Sequence, residues 1–341
     1  MRTLAVRHWL SLITVLSCLL PVAAAATPVA EGIDTPADAR AWLVRIHTAA
    51  NQRNYQGTMV FTAGGMLSSS RVAHFSVGGQ SFERLEALDG RMQRVYRHND
   101  AVHTLWSQSR VAVIETRNVA TQIGSLTKVA EPRAAEQYEL KAEGSERVAG
   151  RDAMVLLLRP RDDLRYMQRV WADRATGLML RADVIGPAKS VLESSAFSQI
   201  EIGVRPQPES VLTPMSRLDG YRVLRPQQLA TQLEAEGWAM VRTVPGFVLA
   251  GCLKRPLDIT AAAGSQRVTH QVLQAVFSDG LTHVSLFIEP FDASRHKVGL
   301  QAQIGATATM TLRRGDFWVT ALGEVPMATL KLFNEALDRK P

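Results

Sequence analysis

Few side chains in this sequence could do chemistry, and they are scattered. His98, Asp100 and His103 lie close enough in the chain to suggest a metal site or an acid/base cluster. Within one strand His98 and His103 would face opposite ways, and Asp100 also suits a turn. Asp162-Asp163 could pair as catalytic carboxylates, but shortly after Pro160 they are more simply turn residues. His270 and His283 flank a hairpin and read as surface or satisfied core residues. There is no His-Glu-x-x-His, Gly-x-Ser-x-Gly, Walker loop, dinucleotide glycine pattern or Cys-x-x-Cys. Serine hydrolase chemistry needs a nucleophile, base and orienter in one place, and nothing in the sequence assembles them. No metal and no cofactor is implied.

The ends and the composition set the compartment. Arg2 and Arg7, the apolar run Trp9–Leu20 and the small residues Ala23–Ala26 form a cleavable secretory leader over residues 1–26. The run is shorter than the ~20 residues of a membrane span. Val15-Leu16-Ser17-Cys18 resembles a lipobox loosely, with Leu16 a poor fit. Loss of the leader takes Arg2, Arg7 and no acid, lowering the net charge from +7 to about +5. No dense basic run points to nucleic acid. Cys18 leaves with the leader, so Cys252 stands alone and reads as a small hydrophobe.

About 315 mature residues suffice for two domains, here 27–203 and 221–341, with Pro206, Pro208 and Pro214 making 204–220 a semi-rigid linker. Thr35, Pro36 and Asp38 start a helix whose apolar face is Ala39, Trp42, Leu43, Ile46 and Ala50. Gly64-Gly65, Gly78-Gly79, Asp89-Gly90 and His98-Asn99-Asp100 then punctuate an antiparallel meander. Residues 117–146 read as an irregular crossover or flap, and strands resume over 147–202. So large a sheet must curl or be covered, and a half-open barrel around the helix would enclose an apolar hollow. Met59, Phe61, Phe75, Leu105 and Trp106 are either ordinary core or the lining of that hollow. Arg91, Arg94 and Arg97 are either a solvated strand edge or guanidinium groups placed at its mouth for phosphate. In the second half the spacing predicts a helix near 226–236, strands at 238–244 and 247–253, a hairpin at Asp279-Gly280, and a last helix carrying Met327, Leu330, Phe333 and Leu337. The fold class is α+β: a large unclosed antiparallel barrel with a helical cover, then a smaller α+β domain.

Three stretches carry a resemblance. Phe277-Ser-Asp-Gly-Leu281 with Val284-Ser-Leu-Phe-Ile-Glu-Pro290, Arg165-Tyr166 with Val170-Trp-Ala-Asp173 and Thr176-Gly-Leu178, and Gly323-Glu-Val-Pro326 resemble the RseB/MucB family. That resemblance implies a non-enzymatic periplasmic regulator of the sigma-E envelope-stress response. Its N-terminal domain would be similar to the LolA/LolB lipoprotein carriers. It would bind the periplasmic part of a membrane-spanning anti-sigma factor of the RseA/MucA type, shield it from the site-1 protease, and release it on a lipopolysaccharide or other acyl-lipid signal. The resemblance favours the lipid-lining reading of the apolar set. It also makes the C-terminal hairpin, with Phe277, Asp279, Leu286 and Phe287, the candidate anti-sigma contact. A lipid or lipoprotein carrier working alone is the alternative, an exported hydrolase a third, and a homodimer stays open.

Overall fold

Pro36 opens α1 (Pro36–Gln52), whose Trp42, Leu43, Ile46 and Ala49 recur at helical spacing and are buried. The computed structural model describes residues 36–90, 92–116, 132–259, 268–296 and 299–340. The leader with Arg2, Arg7 and Cys18, the cap Thr35 and Arg91 lie outside the described residues.

After α1 the chain alternates and turns. β1 (Tyr55–Ala63), β2 (Met66–Val77), β3 (Gln80–Ala87), β4 (Gln93–His98), β5 (Ala101–Trp106) and β6 (Val111–Thr116) form an antiparallel meander. Gly64, Gly65, Gly78 and Gly79 take the positive φ that two of its tight turns require. A second run follows: β7 (Tyr138–Val148), β8 (Arg151–Pro160), β9 (Met167–Asp173), β10 (Met179–Ile185) and β11 (Val191–Ile202). β1 pairs with β11 and fuses the two runs. The result is a 12-stranded sheet ordered β12-β6-β5-β4-β3-β2-β1-β11-β10-β9-β8-β7, in which β12 (Arg222–Leu224) lies parallel to β6. The sheet is not closed. In β8 the apolar run shows its purpose, with Ala153, Met154, Val155, Leu156 and Leu158 all buried on both faces of the strand.

The second sheet has seven strands ordered β13-β15-β16-β17-β20-β19-β18. These are β13 (Leu229–Ala230), β15 (Val248–Ile259), β16 (Val268–Ser278), β17 (His283–Pro290), β18 (Gln301–Ile304), β19 (Thr307–Arg314) and β20 (Phe317–Gly323). β14 (Trp238–Met240) pairs separately with β21 (Leu337–Arg339). α3 (Met327–Ala336) drives Leu330 and Phe333 into this sheet's core beside Phe247, Phe277, Leu286 and Val319. Among the described residues the fold is thus mostly sheet with few helices, built around two sheets. No described helix is long and apolar enough to cross a membrane.

Three local expectations change. The helix near 226–236 shrinks to a 3-10 turn at Glu234–Glu236, closed by Gly237 at φ 76°. Leu229 and Ala230 instead pair with Lys254 and Leu253, and Leu229 is exposed while Leu233 is buried, so the two never share a face. The 204–220 segment is no extended spacer, because it holds α2 (Glu209–Ser216), with Pro208 at the start where a missing donor costs nothing. Val211 of α2 is wholly buried in the first sheet's core, with Leu212, Met215 and Leu218 packed against the same cluster. The part of 117–146 that is described is regular, since Tyr138–Val148 is a strand; residues 117–131 lie outside the described set.

Candidate functional site

Register decides which side chains share a face. Across the meander Val72 pairs with Leu85, Leu85 with Val95, Val95 with Thr104, Thr104 with Val113, and Val113 with Leu224. The result is a continuous cross-strand row. Val72 is buried, but Leu85, Val95, Thr104, Val113 and Leu224 are each only half-buried. On the opposite face Ala73, Phe75, Phe82, Tyr96, Leu105 and Ala112 pack with Val211 of α2 into a sealed cluster.

The five apolar candidates therefore divide. Met59, Phe61 and Trp106 share the half-open face: Met59 is buried beside Tyr55 and Val72, and Phe61 and Trp106 are half-buried. Phe75 and Leu105 lie in the sealed cluster, so they do not line the open face. The arginines divide as well. Arg94 donates to Glu86 at 3.0 Å on the α2 face, whereas Arg97 donates to Glu83 at 2.5 Å and to Ser81 at 3.1 Å on the other. They do not converge on one phosphate.

The histidines behave unlike a single strand. A two-residue turn at Asn99-Asp100 pairs His98 with Ala101 and Tyr96 with His103, which brings both rings to the α2 face. His98 stacks on Phe82 at 4.6 Å and bonds Gln80 at 2.8 Å. An open cavity of about 380 Å³ lies between His98 and Glu209, Leu212, Thr213, Met215 and Ser216. Burial, then Arg225, holds the His103 imidazole below its ordinary range, against a hydrogen bond to the Met215 backbone. No metal-binding group of three His, Cys, Asp or Glu occurs among the described residues. Burial pushes the Cys252 thiol up to about 11, with Glu236 and Glu234 adding to it, so the thiolate is disfavoured.

A tightly built polar site joins the two sheets. Arg165, in the loop entering β9, has no solvent exposure at its side chain, and neither has Asp279. Its Nε donates to Asp279 Oδ2 at 2.6 Å, Nη1 to Asp162 at 2.5 Å and Nη2 to the Pro245 carbonyl at 2.8 Å, while the guanidinium lies 4.5 Å from the Phe247 ring centre. Tyr138 donates its hydroxyl to the same Asp279 oxygen at 3.1 Å; burial first, then Asp279, drives its pKa well above the usual tyrosine range. Asp162 also accepts from the Leu164 amide at 3.0 Å, so it is a turn former as well as an ion-pair partner. Nearby, Glu193 of β11 accepts from the Ala306 amide at 3.0 Å, and Gln303 donates to Tyr166 at 3.2 Å.

This changes the candidate hairpin. Phe277 and Leu286 are core residues of the second sheet, and Asp279 is spent on Arg165 and Tyr138, so none of the three presents a free surface. Phe287 is half-buried. Arg165, Tyr138 and Glu193 stand in no sequence motif that marks them as site residues. The Asp162–Arg165 spacing was the available signal, but nothing local marks a partner more than a hundred residues away.

The family described as MucB/RseB N-terminal domain matches residues 38–215, and MucB/RseB C-terminal domain matches 232–338. The sigma factor AlgU regulatory protein MucB of Pseudomonas aeruginosa is 30% identical over 299 residues, covering 86% of this chain and 88% of its own. The sigma-E factor regulatory protein RseB of Haemophilus influenzae is 22% identical over 295 residues, covering 85% and 87%. The structure of the P. aeruginosa MucA/MucB complex superposes with a TM-score of 0.67 at 27% identity, covering 89% of this chain and 99% of that one. A structure of MucB with MucA(peri) gives 0.64 at 26% identity, covering 88% and 98%.

Proposed function

The chain belongs to the MucB/RseB family, and on that premise we propose that it is a periplasmic regulator of sigma factor activity. It binds the periplasmic segment of a membrane-spanning anti-sigma factor, keeps that segment from the site-1 protease, and releases it when an acyl lipid such as lipopolysaccharide is bound. The observation that carries this reading is the likeness through both sheets to a MucB crystallised with its MucA partner, which a lipid carrier has no reason to share. The family's role is regulation by binding rather than catalysis.

The lipid half rests on the half-open row Leu85, Val95, Val113 and Leu224. We read the 12-stranded sheet with α1 and α2 as an unclosed barrel whose open face takes an acyl chain; apolar area buried there would contribute about 25 cal/mol per Å². That same face favours the second reading, a lipid or lipoprotein carrier. Calorimetric titration of the mature protein with a synthetic anti-sigma periplasmic segment separates the two. Saturable binding supports the regulator, whereas lipid binding without segment binding leaves the carrier.

A further inference from the structure

We propose that Arg165 and the Asp279 hairpin form a clasp that fixes the angle between the two sheets, and that this clasp, not the 204–220 segment, carries any coupling between them. The coupling clause rests on the regulator reading; the clasp itself does not. Each oxygen of Asp279 has a separate task. Oδ2 accepts from Arg165 and Tyr138 of the first sheet, while Oδ1 accepts from the backbone amides of Leu281 at 2.8 Å and Thr282 at 2.7 Å, shaping its own hairpin. One carboxylate therefore sets the loop and the docking together.

The apolar neighbours are exchanged across the seam. Leu281, placed by that hairpin, packs against the cluster of α1, β8 and β9, and Leu164, beside Arg165, packs against the second sheet's core. Thr329 of α3 donates to the Leu164 carbonyl at 2.8 Å. The Arg165 loop runs directly into β9, and the Asp279 hairpin joins β16 to β17 in the middle of the second sheet. Moving one backbone must move the other or strand a buried guanidinium. By contrast α2 and β12 are built into the first sheet, so residues 204–224 have no free length to transmit an angle. Three acceptors in three directions suit the guanidinium fork and not an ammonium.

The test uses the full mature protein, spin-labelled at Gln108 and Asp316, both exposed. Native protein should give a narrow inter-label distance distribution. Arg165→Met and Arg165→Lys should both shift or broaden it while far-UV circular dichroism is unchanged. If Arg165→Met does not fold, Asp279→Asn and Gly246→Ala serve instead, since a methyl at Gly246 would collide with the Arg165 guanidinium. An unaltered distribution in the folded variants overturns the clasp. For coupling, a saturating lauroyl lipopolysaccharide fragment should weaken binding of the anti-sigma segment about 5–150-fold in native protein, and less than about 2-fold in the clasp variants. Full coupling with an opened clasp overturns the route. Absence of any lipid effect in native protein overturns the coupling clause and the lipid-release reading, while the distance measurement still decides the clasp.

Discussion

Strands β2–β6 carry two apolar faces with opposite fates. One face, Phe75, Phe82, Tyr96 and Leu105, is sealed by α2, so its residues act as core. The other, Leu85, Val95, Thr104 and Val113, stays half-buried along its length. The same backbone and the same register serve both, so the difference lies in what packs on them. Among the described residues the α2 face holds the buried core of these strands, and the half-buried face is the one we propose takes the acyl chain.

That contrast can be broken by substitution. Phe75→Ala should cost about 3–5 kcal/mol, because a wholly enclosed ring leaves a cavity that the surrounding cluster cannot fill. Chemical denaturation would show it as a lower midpoint at unchanged slope. Val211→Ala should cost less, about 1–2 kcal/mol, and loosen α2 from the sheet; hydrogen exchange should rise over Glu209–Ser216 and over β4 and β5 together. Val95→Ala on the open face should cost about 1 kcal/mol or less in stability yet weaken acyl-probe binding, read by displacement of a fluorescent fatty acid. Equal stability losses at Phe75 and Val95 would erase the distinction between the faces.

The smallest effect should come from pH. The fold holds the His103 ring below its ordinary value and so favours the neutral form. The stability this contributes is present above pH ~6.5 and is lost as the pH falls through the depressed value. Melting temperature measured between pH 7.5 and 5 should drop in the native protein and drop less in His103→Gln. A parallel pH slope in both would remove His103 from the seat of α2.

Legibility followed the range of the interactions. The meander was readable because Gly64-Gly65, Gly78-Gly79 and the Asp279-Gly280 loop announce their turns locally, as did Gly177 at φ 79° between β9 and β10. α2 is hidden in the sequence because three prolines outweigh the spacing of Val211, Leu212 and Met215, which is helical. The candidate residues fared worse than the strands that hold them. Whether Phe75 and Val95 share a face depends on pairings β2–β3 and β3–β4, and a one-residue change of register would reverse the answer. His98 and His103 showed the same limit: the turn between them restored the common face that a single strand would have denied. The partnership of Arg165 with Asp279 has no local trace at all.

On the proposed reading this protein shields the periplasmic segment of an anti-sigma factor. Cleavage of the purified periplasmic segment by activated site-1 protease, followed with and without the mature protein, tests it most directly. A saturating amount should slow cleavage at least about tenfold, which corresponds to a free-energy difference of about 1.4 kcal/mol, and a lauroyl lipopolysaccharide fragment should restore the rate. Cleavage at the same rate with the protein in saturating excess would contradict it.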